Sequence, residues 1–156
     1  LAVAGDSAGA NLSAISVMRC RDEGGPAICF QMLAYPITDV LSTHPSRVEN
    51  GTGYFLNTDQ LDWFCEQYLP SGIDRSHPWV SPLRAADLGR LPQTLVMTAE
   101  CDLLRDEGEA YAGELEAAGV RTIARRYDEP IHGFFGLGHV HPLSDKAGRG
   151  GCADLK

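Results

Sequence analysis

Apolar positions along this chain fall into short continuous runs and helical stripes, separated by polar loops. Leu1 to Asp6 is the first run, and residues 8–22, rich in Ala, read as a helix that stops near Gly24-Gly25-Pro26. Ala27 to Ala34 is nearly continuous and closes on Tyr35-Pro36, which predicts a buried strand rather than a helix. Residues 37–57 are polar and read as loop. Asn57 followed by Gln60 predicts a capped helix start. Leu61, Phe64, Cys65, Tyr68 and Leu69 then share one helical face, whose simplest use is core packing. After a loop through Ser81-Pro82-Leu83 to Leu91-Pro92, Thr94 to Ala99 reads as a third buried strand. Residues 105–118 predict a helix with Leu104, Tyr111, Leu115 and Ala118 on one face and Gly119 closing it. Ile123 and Tyr127 alternate with Thr122, Ala124 and Arg126 as a half-exposed fourth strand. Strands separated by helices imply a parallel sheet of βαβ units. Residues 1–137 are therefore expected to belong to one α/β domain, and the Gly-rich stretch 138–156 to be loop or disordered.

Composition narrows the function classes. Hydrophobic residues make up 44% and charged residues 22% of the 156, as in an ordinary globular domain. The net charge of -8, from 13 Lys and Arg against 21 Asp and Glu, supplies no basic face for nucleic acid. Arg125-Arg126, the longest basic cluster, reads as the wet face of a strand. No apolar run approaches the roughly 18 residues a membrane span needs. Five cysteines, Cys20, Cys29, Cys65, Cys101 and Cys152, include no C-x-x-C pair. Cys20, Cys29 and Cys65 sit among apolar neighbours and are expected to be buried, reduced thiols, which fits a reducing compartment such as the cytoplasm. The chain opens at Leu1 inside a strand, so it is expected to be a C-terminal piece of something longer.

The chemistry starts at Gly5-Asp6-Ser7-Ala8-Gly9. This fits G-x-S-x-G and lies between a strand and a helix, where a sharp turn exposes a serine hydroxyl at the positive end of the helix. The flanking glycines allow strand and helix to approach without a Cβ clash. A serine hydroxyl is a weak nucleophile and needs a base, usually His held by a carboxylate. Asp102, after the third strand, and His132, after the fourth, meet the order Ser, acid, His on one edge of a sheet. Asp106 and Glu100 are rival acids, although Asp106 also suits the first turn of the following helix. His139 and His141 are rival bases or an H-x-H metal pair, but no set of partner ligands accompanies them, and neither a metal nor a cofactor is expected. His44 and His77, each before a proline, read as exposed loop residues.

Gly5-Asp-Ser-Ala-Gly-Ala-Asn11, Tyr35-Pro36, Ser81-Pro82-Leu83, Asp102-Leu-Leu-Arg-Asp-Glu-Gly108 and Ile131-His-Gly-Phe134 together resemble the hormone-sensitive-lipase-like carboxylesterases, over residues 1 to about 135. The resemblance implies an α/β-hydrolase fold, the C-terminal half of a doubly wound, mostly parallel sheet. It also implies hydrolysis of small or short-chain carboxylic esters through an acyl-enzyme, with Ser7 as nucleophile, Asp102 as acid, His132 as base and the Ala8 N–H in the oxyanion hole. Three departures stand out. Leu103 replaces the family's usual proline after the acid, which predicts a looser Asp102. The family's His-Gly-Gly motif, which supplies further oxyanion donors upstream of the nucleophile, is absent. The tail does not resemble the family's closing amphipathic helix. Tyr54, Phe55 and Trp63 are candidates to line an acyl or alcohol pocket, with core packing favoured for Tyr54 and Trp63. An inactive truncated piece, an amidase or peptidase, and a ligand-binding protein like the plant gibberellin receptors stand as alternatives. Those receptors lack the catalytic histidine, whereas His132 is present here.

Overall fold

In the computed structural model, four strands lie side by side in chain order: β1 (Ala2–Asp6), β2 (Phe30–Ala34), β3 (Gln93–Cys101) and β4 (Thr122–Ile131). The structure describes residues 1–137 together with Ala147 and Gly150. Every pairing is parallel, with Gly5 opposite Leu33, Leu33 opposite Val96, and Val96 opposite Ala124. Within the described residues 1–137, the α-helices that connect or flank the strands are α1 (Ala8–Glu23), α2 (Ser46–Glu49), α3 (Thr58–Tyr68) and α4 (Arg105–Ala117). Parallel strands need crossovers, and right-handed crossovers that all step one way along a sheet deliver their helices to the same face. Accordingly α1, through Ala10, Ala14 and Met18, and α4, through Tyr111 and Leu115, pack together on Leu33 and Val96. On the opposite face Phe30, Leu95 and Met97 meet Phe134 and Ala147. Fully burying a Leu or Met side chain contributes about 1.5–3 kcal/mol, so β3, buried from Thr94 to Ala99, anchors both clusters.

The predicted helix ends are present. Asn57 Oδ1 accepts from the Gln60 N–H at 2.9 Å while the Gln60 side chain accepts from the Asn57 N–H at 3.1 Å. Gly119, at φ 80, takes the left-handed turn after α4 that a side chain would disfavour. Three expectations are corrected. The α3 stripe is only partly core: Leu61 and Leu69 are buried, but Phe64 and Tyr68 are 52% and 60% exposed. The reason is that α3 packs over loops at one edge, against Leu56, Leu103 and Leu104, and not across the sheet. Tyr54 and Trp63 are likewise exposed instead of packed in the core. Cys29 is also exposed, because it precedes β2 at the open end beside Leu1, whose carbonyl accepts its N–H at 2.8 Å. The reading of 138–156 as a tail falls outside the described residues, apart from Ala147 and Gly150. No helix among the described residues is long and apolar enough to cross a membrane.

The region read as featureless loop contains α2, and a buried ion pair holds it. Glu107 is 1% exposed and accepts from Arg47 Nη2 at 2.7 Å and Nε at 3.0 Å. It also accepts the Thr38 and Asp39 N–H groups at 2.9 and 3.2 Å. Burial pushes this carboxyl's proton affinity up, and the Arg47 charge and the two amides work against that. Removing one partner of a buried pair strands the other charge, which typically costs about 3–5 kcal/mol. Arg47→Ala should therefore lower the unfolding free energy by about that amount in urea titration, whereas an unchanged midpoint would show that Glu107 finds other compensation.

Candidate active site

The carboxyl ends of parallel strands share one edge of the sheet, so the residues just beyond β1, β3 and β4 meet there. Ser7 follows β1 directly, at φ 51 and ψ -118. Few side chains tolerate that turn, and it holds because the Ser7 N–H donates to the Ala34 carbonyl at 2.9 Å, pinning the elbow to the end of β2. Gly5 is also required: a Cβ there would lie 2.3 Å from both the carbonyl carbon and the oxygen of Gly9. Gly9 is different, since a Cβ would meet nothing nearer than Asp6 Oδ1 at 3.9 Å. Among the described residues only the first glycine of the motif is demanded by close approach. The Ala8 amide opens α1 and so lies outside the helix's own hydrogen-bond ladder, where the macrodipole is positive.

Asp102 follows β3 and is 1% exposed; His132 follows β4 and is 7% exposed. His132 Nδ1 lies 2.7 Å from Asp102 Oδ2, and Nε2 lies 2.9 Å from Ser7 Oγ. An ionised carboxylate only accepts, so Nδ1 carries the proton and donates to Asp102. That leaves the Nε2 lone pair to accept from the Ser7 hydroxyl. The sequence candidates Ser7, Asp102 and His132 are thus brought together across 125 residues. The rivals are elsewhere. Asp106 accepts from Arg105 Nε at 2.7 Å and from the Ser46 N–H at 2.8 Å. Burial alone would raise its pKa, but these partners outweigh it and hold the carboxyl below its usual range. Glu100 accepts the Glu129 N–H at 2.9 Å. His77 is exposed and His44 half-buried. His139 and His141 lie outside the described residues. Among the described residues no cluster of His, Cys, Asp and Glu is arranged to hold a metal ion.

Local features not visible in the sequence set these positions. The β3–β4 register breaks between Ala99 and Cys101, so that Cys101 pairs with Ile131 and Asp128 to Pro130 bulge out. Glu129, at φ 79, sits in that bulge with its amide held by Glu100, and the extra length delivers His132 to the edge. The expectation of a loose Asp102 is corrected. The Asn50 amide donates to the Glu100 and Asp102 carbonyls at 3.2 and 3.1 Å, and the Ser46 hydroxyl donates to the Leu103 carbonyl at 3.0 Å. Asp102 Oδ1 itself accepts the Leu104 N–H at 3.0 Å. Leu103, fully buried with Leu56, Leu61 and Leu104, anchors by packing what a proline would have stiffened. An apolar pocket begins at Ala8 and is lined by Leu12, Ile37, Leu61, Phe64 and Tyr68. Asn11 braces its wall through Nδ2 donations to the Ile37 and Val80 carbonyls at 2.8 and 3.0 Å.

A serine on a strand–helix elbow, an imidazole at its hydroxyl and a buried carboxylate behind the imidazole form a hydrogen-bonded Ser–His–Asp series at the carboxyl edge of an open parallel sheet. Residues 1–136 match the family model of the alpha/beta hydrolase fold, and the chain belongs to that family. It is similar to carboxylesterase NlhH of Mycobacterium tuberculosis, with 41% identity covering all of this chain and 50% of the relative. An ethyl acetate hydrolase of Pseudomonas putida is 36% identical over 94% of this chain and 46% of its own. Among solved structures, a hyperthermophilic esterase from Pyrobaculum calidifontis superposes with a TM-score of 0.89 at 42% identity, covering 94% of this chain and 48% of that one. An alpha/beta hydrolase from the metagenome of Lake Arreo does so with a TM-score of 0.90 at 45% identity, covering 94% and 46%. The chain spans about half the length of the curated relatives it matches.

The two glycines of the elbow make a contrast that stability measurements can read. Gly5→Ala should destabilise by about 1–3 kcal/mol or more, since the clash is with backbone. Gly9→Ala, with space for its methyl on a helix, should change stability by less than about 1 kcal/mol. Equal effects in thermal unfolding would contradict the packing described at this turn.

Proposed function

We propose that this chain carries the catalytic residues of a serine carboxylic-ester hydrolase acting on small or short-chain esters through an acyl-enzyme. The observation that carries the reading is the hydrogen-bonded series Ser7 Oγ, His132 and Asp102, at 2.9 and 2.7 Å. Ser7 Oγ attacks the ester carbonyl as its proton passes to His132 Nε2, and Asp102 holds the imidazole in the tautomer that accepts it. The Ala8 N–H faces the developing oxyanion, and further donors are needed to complete the hole. Collapse of the tetrahedral intermediate expels the alcohol, which takes the proton from His132; water then attacks the acyl-enzyme by the same route in reverse. The apolar pocket beginning beside the nucleophile suits a hydrocarbon acyl or alcohol group. Residues 1–137 form part of one catalytic domain in this reading. The unpaired thiols Cys20, Cys29, Cys65 and Cys101 favour a cytoplasmic setting.

In the full-length protein, Ser7→Ala should abolish turnover of p-nitrophenyl butyrate. Asp102→Asn should lower kcat by on the order of 10⁴, because the amide favours the wrong imidazole tautomer. Asp106→Asn, which alters only the contacts to Arg105 and Ser46, should cost far less. Reversed costs at the two aspartates would assign the acid to Asp106.

A further inference from the structure

Tyr35 stands between the elbow and the base, and in the sequence it reads as the end of a strand and part of the Tyr35-Pro36 motif, with no role of its own at the site. It is 1% exposed and adopts φ 37, a left-handed conformation that a bulky side chain keeps only when its surroundings impose it. Two contacts impose it. The Tyr35 N–H donates to the Met97 carbonyl at 2.6 Å, and the carbonyl just before it, that of Ala34, accepts the Ser7 N–H. The turn at Tyr35 is therefore built into the same corner as the turn at Ser7.

The side chain spans the site from this corner. Its ring centroid lies 4.7 Å from that of His132, tilted by 57°, and 5.5 Å from that of Phe134 in an edge-on contact. The ring covers one side of the imidazole, which is only 7% exposed. The hydroxyl reaches Asp6 Oδ2 at 3.4 Å, a long bond to the residue before the nucleophile. Phe134 opens the 3₁₀ turn Phe134–Leu137, which follows His132 almost directly. Burial, and then the Asp6 carboxylate, push the phenol's pKa up, so the group stays a neutral hydroxyl able to donate to Asp6.

We propose that Tyr35 is a positioning residue for the base: its ring backs the His132 imidazole and packs on Phe134 in the turn that follows it, and its hydroxyl ties that ring to the strand end that carries Ser7. The proposal rests on the serine-hydrolase reading of the site. It explains why a strained, buried tyrosine occupies the carboxyl end of β2, which contributes no member of the Ser-His-Asp set. The Ser7–His132 contact has no covalent neighbour to fix it, and small errors in such a contact are expensive in rate.

The test separates positioning from bulk stability by counting active sites. In the full-length protein, Tyr35→Phe keeps the ring and removes the tie, and Tyr35→Leu removes both. Sites are titrated with a fluorophosphonate, and kcat is expressed per titrated site on p-nitrophenyl butyrate. Tyr35→Phe should lower kcat per site by roughly 10-fold with KM within about twofold, and Tyr35→Leu should lower it further. A purely structural role would reduce the number of titratable sites and leave kcat per site unchanged, which would overturn the proposal. Wild type and Ser7→Ala run alongside. If wild type gave no titratable sites, or Ser7→Ala did, the hydrolase reading and this proposal would fall together. If both controls behave and only the Tyr35 variants match wild type per site, the proposal alone falls.

Discussion

At Gly5 the backbone of α1 passes so close to β1 that any side chain would overlap the Gly9 carbonyl, and this approach lets the chain fold back on itself at Ser7. The positive φ of Ser7 is tolerated because the turn is fixed from both sides, by that approach and by the Ser7 N–H bond to Ala34. Everything else at the edge is measured from this elbow. The Ser7 hydroxyl stands at the start of α1, beside the first free amide of the helix and at the mouth of the apolar pocket. A parallel sheet then brings its other strand ends to the same edge without further design.

Delivering Asp102 and His132 to within hydrogen-bonding distance takes more than topology. Asp102 is nearly inaccessible, and a buried carboxylate is tolerable only where its oxygens are occupied. His132 and the Leu104 amide occupy them, while Asn50 and Ser46 fix the carbonyls on either side. The segment carrying Ser46 and Asn50 is itself held by the Arg47–Glu107 pair, so a buried ion pair in the fold supports the geometry of Asp102. On the His132 side, the bulge at Glu129 adjusts the length of β4, with Glu100 holding its amide. The carboxylate that competes for the role of acid in the sequence thus works on backbone geometry instead.

Much of this was legible in the residues. Continuous apolar runs ending in Gly-Asp-Ser, Tyr-Pro and Glu-Cys-Asp mark strands of a parallel sheet, of which the second and third are buried while β1, read as buried, is exposed or half-exposed along its length, and the order Ser7, Asp102, His132 placed the three groups on one edge. What the pattern could not convey were effects that depend on tertiary contacts. The periodicity of Leu61, Phe64, Cys65, Tyr68 and Leu69 is that of a helix, but it cannot say whether a sheet or only a loop lies opposite, and Phe64 and Tyr68 emerged exposed. Leu103 read as the loss of a stiff proline, because burial of a leucine in a loop is invisible in one dimension. Polar residues such as Ser46 and Asn50 looked like loop filler, since their value lies in carbonyls and amides far along the chain. A tyrosine at the carboxyl end of a strand between nucleophile and acid was the one local signal available for Tyr35.

The central claim is that the elbow serine is the group activated by His132 and Asp102. The most direct measurement is peptide mapping by mass spectrometry after reaction of the full-length protein with a fluorophosphonate. The account predicts a single stoichiometric adduct on Ser7, in the peptide that ends at Arg19 after trypsin, and its loss when His132 is replaced by Gln. An adduct on another residue, or undiminished labelling of Ser7 in the absence of the imidazole, would contradict it.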